Sequence, residues 1–348
     1  MLKHGGRLRA AAARYGMPIE AWLDLSTGIN PDGWPVPPLP PSAWSRLPED
    51  EDGLEAAACA YYGTESLLAV AGSQAAIQAL PPLRGPCRVG IVSPGYAEHA
   101  YAWRRAGRTV AAVPAADLGD AARHVDVLVV INPNNPTGDR FPPETLLDWH
   151  ARLAARGGWL VVDEAFIDPA PEDSLAPYST RPGLIVLRSL GKFFGLAGAR
   201  VGFVLAESSW LHRLGEHLGP WTVAAPSRWA ATLALADRAW HAATRTQLLK
   251  QTQRLAALLR RHGLAPGGGC ALFQWVPIPH AAAIHERLAR QGILTRLFTE
   301  PASLRFGLPG AEGGWARLEE ALADTGGCLA ADRPVSPARG NRPCGVDW

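Results

Sequence analysis

The sequence predicts an α/β chain: a large domain with a mostly parallel sheet covered by helices on both faces, followed by a smaller α+β domain. Three observations predict it. Short, continuously apolar runs over 125–131 and 159–162 alternate with amphipathic stretches such as 143–156, the pattern of strands buried on both faces. From about residue 208 this alternation gives way to a long Ala/Leu/Arg-rich stretch. A length of 348 residues exceeds one small domain and suits two.

The elements follow in order. Residues 1–45 carry prolines at 31, 35, 37, 38, 40 and 41 and read as an irregular arm, since proline neither continues a helix nor sits in a central strand. Stretches 52–62 and 73–80 read as helices. Then come a strand over 88–93, a helix over 98–106, strands over 108–113 and 125–131, and a helix over 143–156 that turns Glu144, Asp148 and Arg152 to solvent. Strands over 159–162, 184–187 and 201–205 complete the alternation. Beyond it, 226–262 reads as one long helix or two joined. A strand over 271–276, a helix over 281–291, a short strand over 303–306 and a helix over 314–324 follow. Residues 326–348, with three prolines, read as a loose tail. The chain thus divides into the arm (1–45), a large domain (46–210), the long helix with a small C-terminal domain (211–325), and the tail.

Composition narrows the function. With 47% hydrophobic and 19% charged residues the chain is no disordered polymer. A formal net charge of +2 points to no nucleic-acid partner. Cys59, Cys87, Cys270, Cys328 and Cys344 are scattered and lack metal-ligand spacing, so neither a disulfide framework nor a metal site is expected. No apolar signal core opens the chain and no run of about 18 apolar residues occurs, so a cytoplasmic protein without a membrane partner is expected.

Four polar motifs carry the chemistry. Asn132-Pro133-Asn134-Asn135-Pro136-Thr137-Gly138 follows the strand over 125–131, and Asp163-Glu164-Ala165-Phe166 follows 159–162. Ser189-Leu190-Gly191-Lys192 follows 184–187, with Arg200 eight residues beyond the lysine, and Gly72-Ser73-Gln74 opens a helix. The carboxyl ends of parallel strands form the ligand crevice, so these motifs should converge. Lys3, Lys192 and Lys250 are the only amines on side chains. Lys192 has apolar, Gly-rich neighbours that favour a neutral, nucleophilic amine, whereas an isolated lysine is usually solvated. Asp163 closes an apolar run, where a carboxylate either faces a cationic partner or caps the next turn. Asn135 can donate to a phenolate oxygen or simply form the turn. Gly72-Ser73-Gln74 either cradles a phosphate or merely caps its helix, and Arg200 can add the counter-charge.

Together these strings resemble the signature of the fold-type I, pyridoxal-phosphate-dependent aminotransferases of class I/II. Asn-Pro-Asn-Asn-Pro-Thr-Gly, Asp-Glu-Ala-Phe and Ser-Leu-Gly-Lys-Phe-Phe-Gly-Leu-Ala-Gly-Ala-Arg-Val-Gly match in order and spacing, within residues 20–325. The resemblance implies that fold with a seven-stranded sheet, a homodimer, and pyridoxal 5'-phosphate as cofactor. It implies that Lys192 binds the cofactor covalently and later moves protons, that Asp163 pairs with the ring nitrogen, and that Asn135 meets the ring oxygen. It assigns the cofactor phosphate to Ser73, Gln74, Ser189 and Arg200, with Gly72 beside them. It assigns the ring face to Tyr96 or His99, and the substrate carboxylate to Arg305. Ordinary packing is the other role for Tyr96 and His99, and a solvated strand end for Arg305.

Within the family, three features resemble the threonine-phosphate decarboxylase branch, which neighbours the histidinol-phosphate aminotransferases. They are Lys3-His4-Gly5-Gly6, the segment Leu23-Asp24-Leu25-Ser26-Thr27-Gly28-Ile29-Asn30-Pro31, and Phe166 where many aminotransferases carry Tyr. The likeness implies His4, Gly5, Gly6, Asn30 and Asn135 as further substrate contacts and a small phosphorylated amino acid as substrate. The implied reaction is decarboxylation of L-threonine O-3-phosphate to (R)-1-amino-2-propanol O-2-phosphate for cobalamin biosynthesis. The alternatives are aminotransfer of the histidinol-phosphate type and, outside catalysis, a cofactor-bearing ligand sensor. Leu47-Pro48 stands where histidinol-phosphate aminotransferases often have Tyr-Pro, so a hydroxyl reaching the neighbouring subunit's cofactor phosphate is not expected there.

Overall fold

The computed structural model describes residues 4–330, with side chains described for 4–324. The chain opens with α1 (Leu8–Tyr15), β1 (Leu23–Asp24), α2 (Ser42–Ser45), α3 (Leu54–Tyr62), β2 (Leu67–Val70) and α4 (Ser73–Ala79). It continues through β3 (Arg88–Ser93), α5 (Ala97–Arg105), β4 (Thr109–Pro114), α6 (Leu118–Ala121), β5 (Val127–Ile131), α7 (Pro143–Ala154), β6 (Trp159–Asp163), β7 (Leu184–Ser189) and β8 (Gly202–Leu205). Three helices follow: α8 (Ser208–Leu218), α9 (Ala225–Ala236) and α10 (Arg238–Arg261). The last part holds β9 (Gly268–Cys270), β10 (Phe273–Pro277), α11 (Ala281–Arg290), β11 (Ile293–Leu294), β12 (Arg296–Thr299), β13 (Ala302–Gly307) and α12 (Glu312–Ala330).

A seven-stranded sheet runs in the order β2-β8-β7-β6-β5-β3-β4. Neighbours from β7 through β4 pair in parallel, and β8 is antiparallel to both β7 and β2. The apolar runs explain its place in the molecule. Every residue of β5 and β6 is buried. Val127, Val129 and Val161 pack into one core layer, while Leu128, Val130, Leu160 and Val162 pack into the other. With alternate side chains pointing to opposite faces, both faces of the sheet are covered, at about 1.5–3 kcal/mol for each fully buried aliphatic side chain. A four-stranded antiparallel sheet, β12-β13-β10-β9, forms the small C-terminal sheet, and β1 pairs in parallel with β11.

The structure corrects three readings and decides between the two alternatives of a fourth. The arm is not wholly irregular: α1 lies ahead of Pro18, is Ala-rich, and ends on Gly16 at φ 67°, the left-handed conformation that stops a helix. The 226–262 stretch is two helices, because Asp237 leaves helical geometry and accepts the Trp240 amide at 3.0 Å as the N-cap of α10. A helix over 208–218 went unread; it buries Trp210, Leu211 and Leu214 against the large sheet. The last helix passes residue 326 and reaches Ala330, since Gly326 and Gly327 weaken a helix but only a proline forbids it. The remainder of the supposed tail, 331–348, lies outside the described residues. Among the described residues, Cys59, Cys87 and Cys270 are free thiols, and no helix is long and apolar enough to cross a membrane.

Candidate active site

The carboxyl ends of β5, β6 and β7 bring three of the polar motifs together, and the turn before α4 adds the fourth. A cavity of about 150 Å³ is lined by Ser73, Gln74, Tyr96, Asn135, Asp163, Phe166, Ser189, Lys192 and Arg200 among others. A wider cavity of about 570 Å³ shares Tyr96, Asn135 and Lys192 with it and adds His4, Gly5, Gly6, Arg296 and Arg305.

Ser73, Ser189 and Arg200 belong to one cluster. Gly202 pairs with Ser189 across β7 and β8, and a Cβ on it would stand 2.5 Å from the Ser73 amide nitrogen. Gly72 adopts φ +73°, and a Cβ there would stand 2.6 Å from Arg200 Nη2. Glycine is thus required twice, for its backbone angle and for the space the guanidinium fills. Two hydroxyls and a guanidinium make a donor set for a phosphate dianion.

Asp163 stands apart from this cluster. Its Oδ2 lies 2.9 Å from His99 Nε2, and its Oδ1 accepts the Ala165 amide at 3.1 Å. Both side chains are buried, and His99 Nδ1 has no hydrogen-bond partner. His99 lines neither cavity, so of the two ring-face candidates only Tyr96 is on the wall. The Tyr96 hydroxyl is pushed up to about 12, by burial first and then by the charges of Glu98 and Asp163.

Lys192 joins the two cavities. Burial, and then the nearby charge of Arg305, push its ammonium down to about 8, against the opposing pull of Asp163. Its Nζ lies 5.4 Å from the centre of the Phe166 ring. Arg305 projects from β13; its Nη1 donates to Asn135 Oδ1 and its Nη2 donates to the Ser26 carbonyl at 2.7 Å. Arg305 Nε is buried without a partner.

These residues fit pyridoxal phosphate. A hydroxyl–guanidinium cluster, an amine, an amide and a carboxylate braced by a buried imidazole suit, in turn, a phosphate, an aldehyde carbon, a ring oxygen and a protonated ring nitrogen.

The arm is docked here as well. Gly6 N donates to Ser26 Oγ at 2.7 Å, and a Cβ on Gly5 would stand 2.3 Å from the Ser26 carbonyl oxygen. The structure does not bring Asn30 to either cavity. Its Nδ2 donates to the Phe193 carbonyl at 2.9 Å and its amide to the Lys192 carbonyl at 2.9 Å, so it fastens the lysine's own backbone rather than facing a substrate. Sequence reading missed Arg296 on β12 and Glu98 on α5. Arg296 is one arginine among many, and Glu98 read as an ordinary first-turn acid.

The chain matches the model of the family "Aminotransferase class I and II" over residues 47–323. It is 60% identical to a threonine-phosphate decarboxylase of Pseudomonas aeruginosa, across 92% of this chain and 97% of that protein. It is 44% identical to a threonine-phosphate decarboxylase of a Sinorhizobium species, again across 92% and 97%. Among solved structures, histidinol-phosphate aminotransferase from Sinorhizobium meliloti, in complex with pyridoxal-5'-phosphate, superposes with a TM-score of 0.80 at 22% identity, covering 94% of this chain and 96% of that one. The L-threonine-O-3-phosphate decarboxylase of Porphyromonas gingivalis superposes with a TM-score of 0.74 at 20% identity, covering 86% and 98%. Fold, signature strings and family match agree: the chain belongs to the class I and II aminotransferase family.

Proposed function

We propose that this protein is a pyridoxal-phosphate-dependent decarboxylase of L-threonine O-3-phosphate, yielding (R)-1-amino-2-propanol O-2-phosphate for cobalamin biosynthesis. The observation that carries the reading is the outer cavity. It opens onto Lys192 and adds His4 and two guanidinium cations, Arg296 and Arg305, to its wall, which suits a substrate bearing both a carboxylate and a phosphate. The 60% identity to a threonine-phosphate decarboxylase supports the same substrate.

When bound, pyridoxal phosphate accepts the electron pair of a bond broken at the substrate's α-carbon. The protein's own residues do the rest. Lys192, neutral above about pH 8, is the amine that would bind the cofactor; as an ammonium, carrying the proton it takes from the incoming substrate amine, it would return a proton to the α-carbon. Asp163, braced by His99, holds the ring nitrogen's proton. Asn135, with its Oδ1 engaged by Arg305, would have its amide NH₂ left to donate to the ring oxygen. Ser73, Gln74, Ser189 and Arg200, whose guanidinium fills the space Gly72 leaves, would hold the cofactor phosphate, and Tyr96 would cover the ring. Arg305 and Asn135 orient the substrate, with Arg296 and the His4-Gly5-Gly6 arm at its phosphate end. Binding energy from that remote phosphate would fix the orientation of the bonds at the substrate's α-carbon, and so which of them breaks.

A homodimer in the cytoplasm belongs to the same reading. Leu47 and Leu233 line one exposed groove, Trp221 lines the adjoining one, and Trp44 stands 71% exposed; apolar surface of this kind suits a second copy of the chain.

The test is incubation with L-threonine O-3-phosphate in the absence of 2-oxoglutarate. Release of CO₂ with equimolar phosphorylated amine is expected, and borohydride reduction followed by peptide mapping labels Lys192. In a parallel reaction with 2-oxoglutarate added, its consumption without release of CO₂ would establish aminotransfer instead.

A further inference from the structure

Glu98 occupies the first turn of α5, where an acid ordinarily caps amides or complements the helix dipole. No side chain caps this helix. Both carboxylate oxygens of Glu98 point elsewhere: Oε1 lies 2.7 Å from His4 Nε2, and Oε2 accepts Gln74 Nε2 at 2.9 Å. Gln74 Oε1 then accepts the Tyr96 hydroxyl at 3.1 Å. The His4 and Tyr96 rings also meet, at 6.0 Å between centres. An uninterrupted chain of polar contacts therefore runs from the arm, through Glu98 and Gln74, to the aromatic ring shared by the two cavities.

We propose that Glu98 is a positioning residue that anchors the N-terminal arm over the outer cavity and ties the seating of the arm to Tyr96 and Gln74. Gly5 and Gly6 offer no side chain, so among residues 4–6 His4 is the arm's side-chain grip, and the Glu98 side chain that receives it is only 12% exposed. A carboxylate on Nε2 fixes that nitrogen as a donor and holds the ring's orientation. The proposal rests on the phosphorylated-substrate reading above, and it adds a residue that touches neither substrate nor cofactor.

The test combines proteolysis with kinetics. Trypsin cuts the exposed Arg7 and Arg9 once the arm lifts away. Glu98→Gln is expected to speed that cleavage about fivefold, a measurement that needs no substrate. In the same variant KM for threonine phosphate rises about tenfold, the worth of one charged hydrogen bond, while kcat changes far less. His4→Ala removes the contact from the other side, on a segment outside the folded core, and judges the anchor should Glu98→Gln fold poorly. In a double-mutant cycle the combined variant is expected to lose little more than the worse single one. Unchanged cleavage in both variants overturns the anchor, as do KM effects that multiply. Wild-type protein inactive on threonine phosphate overturns the activity reading alone, because the cleavage rates still judge the anchor.

Discussion

Arg305 and Asn135 act as one unit across the mouth of the inner cavity: the guanidinium Nη1 donates to the amide oxygen, although the two residues lie 170 positions apart. Arg305 is also the second cause of the depressed Lys192 ammonium. Arg305→Leu should therefore do two things. It should cut kcat/KM on threonine phosphate about a hundredfold by removing a charge-assisted contact. In cofactor-free protein it should move the midpoint for amine-reagent labelling of Lys192 upward from about 8. A midpoint that stays in place would show that burial alone depresses the lysine.

Lys192 also makes the stability of the cofactor-free protein depend on pH. Its folded value is about 8 and its ordinary value 10.5. Between these the folded chain holds fewer protons than the unfolded one, so stability rises with pH across that window. Below about pH 8 both forms are protonated and the burial cost is constant. The difference in urea midpoint between wild type and Lys192→Met, taken from pH 7.5 to 10, should change steadily with rising pH, the wild type gaining relative to the variant. A constant difference would contradict the assignment.

His99 is predicted to matter through Asp163. His99→Ala leaves the buried carboxylate without its imidazole partner, and cofactor retention on dialysis should weaken about tenfold. His99→Gln, which keeps a donor, should recover part of it. Equal retention in all three proteins would remove His99 from the site's support.

Two glycine substitutions should separate site from fold. At Gly138, φ is +81° and a Cβ would stand 2.3 Å from backbone atoms of Gly269. Nothing there can yield, so Gly138→Ala should cost about 2–4 kcal/mol in urea unfolding. At Gly72 the obstructing atom is the end of a flexible arginine. Gly72→Ala should cost about 1–2 kcal/mol for its backbone angle and show its larger effect as loss of cofactor, because Arg200 moves aside.

Behind the site, Arg188 is buried between Glu164 at 3.2 Å and Asp168. Burial raises the Glu164 carboxyl while the Arg188 charge lowers it. Arg188→Leu strands two buried carboxylates and should cost about 3–5 kcal/mol in equilibrium unfolding. A loss below about 1 kcal/mol would mean the carboxylates find protons or water instead.

What was legible in the sequence follows from how local each signal is. The central strands announced themselves as apolar runs, and the residues just past them fell into one crevice because parallel strands end on one side. α1 was hidden by the prolines that follow it, and the two-residue strands β1 and β11 carry no pattern of their own. The His99–Asp163 and Glu98–His4 contacts join residues with no periodic or motif relation, so only folding reveals them. Asn30 was read by its place in a familiar string, whereas its amide turned out to hold backbone.

That backbone contact is one of a closely spaced series. Leu23 and Leu25 donate to the carbonyls of Gly292 and Leu294, Leu25 accepts from Gly307, Ser26 accepts from Arg305, and Asn30 donates to the Lys192 carbonyl. Eight consecutive residues thus work as a tie rod strung between the C-terminal sheet and the reactive lysine. The Arg305 guanidinium and the backbone of Lys192 are thereby fastened to one short length of main chain.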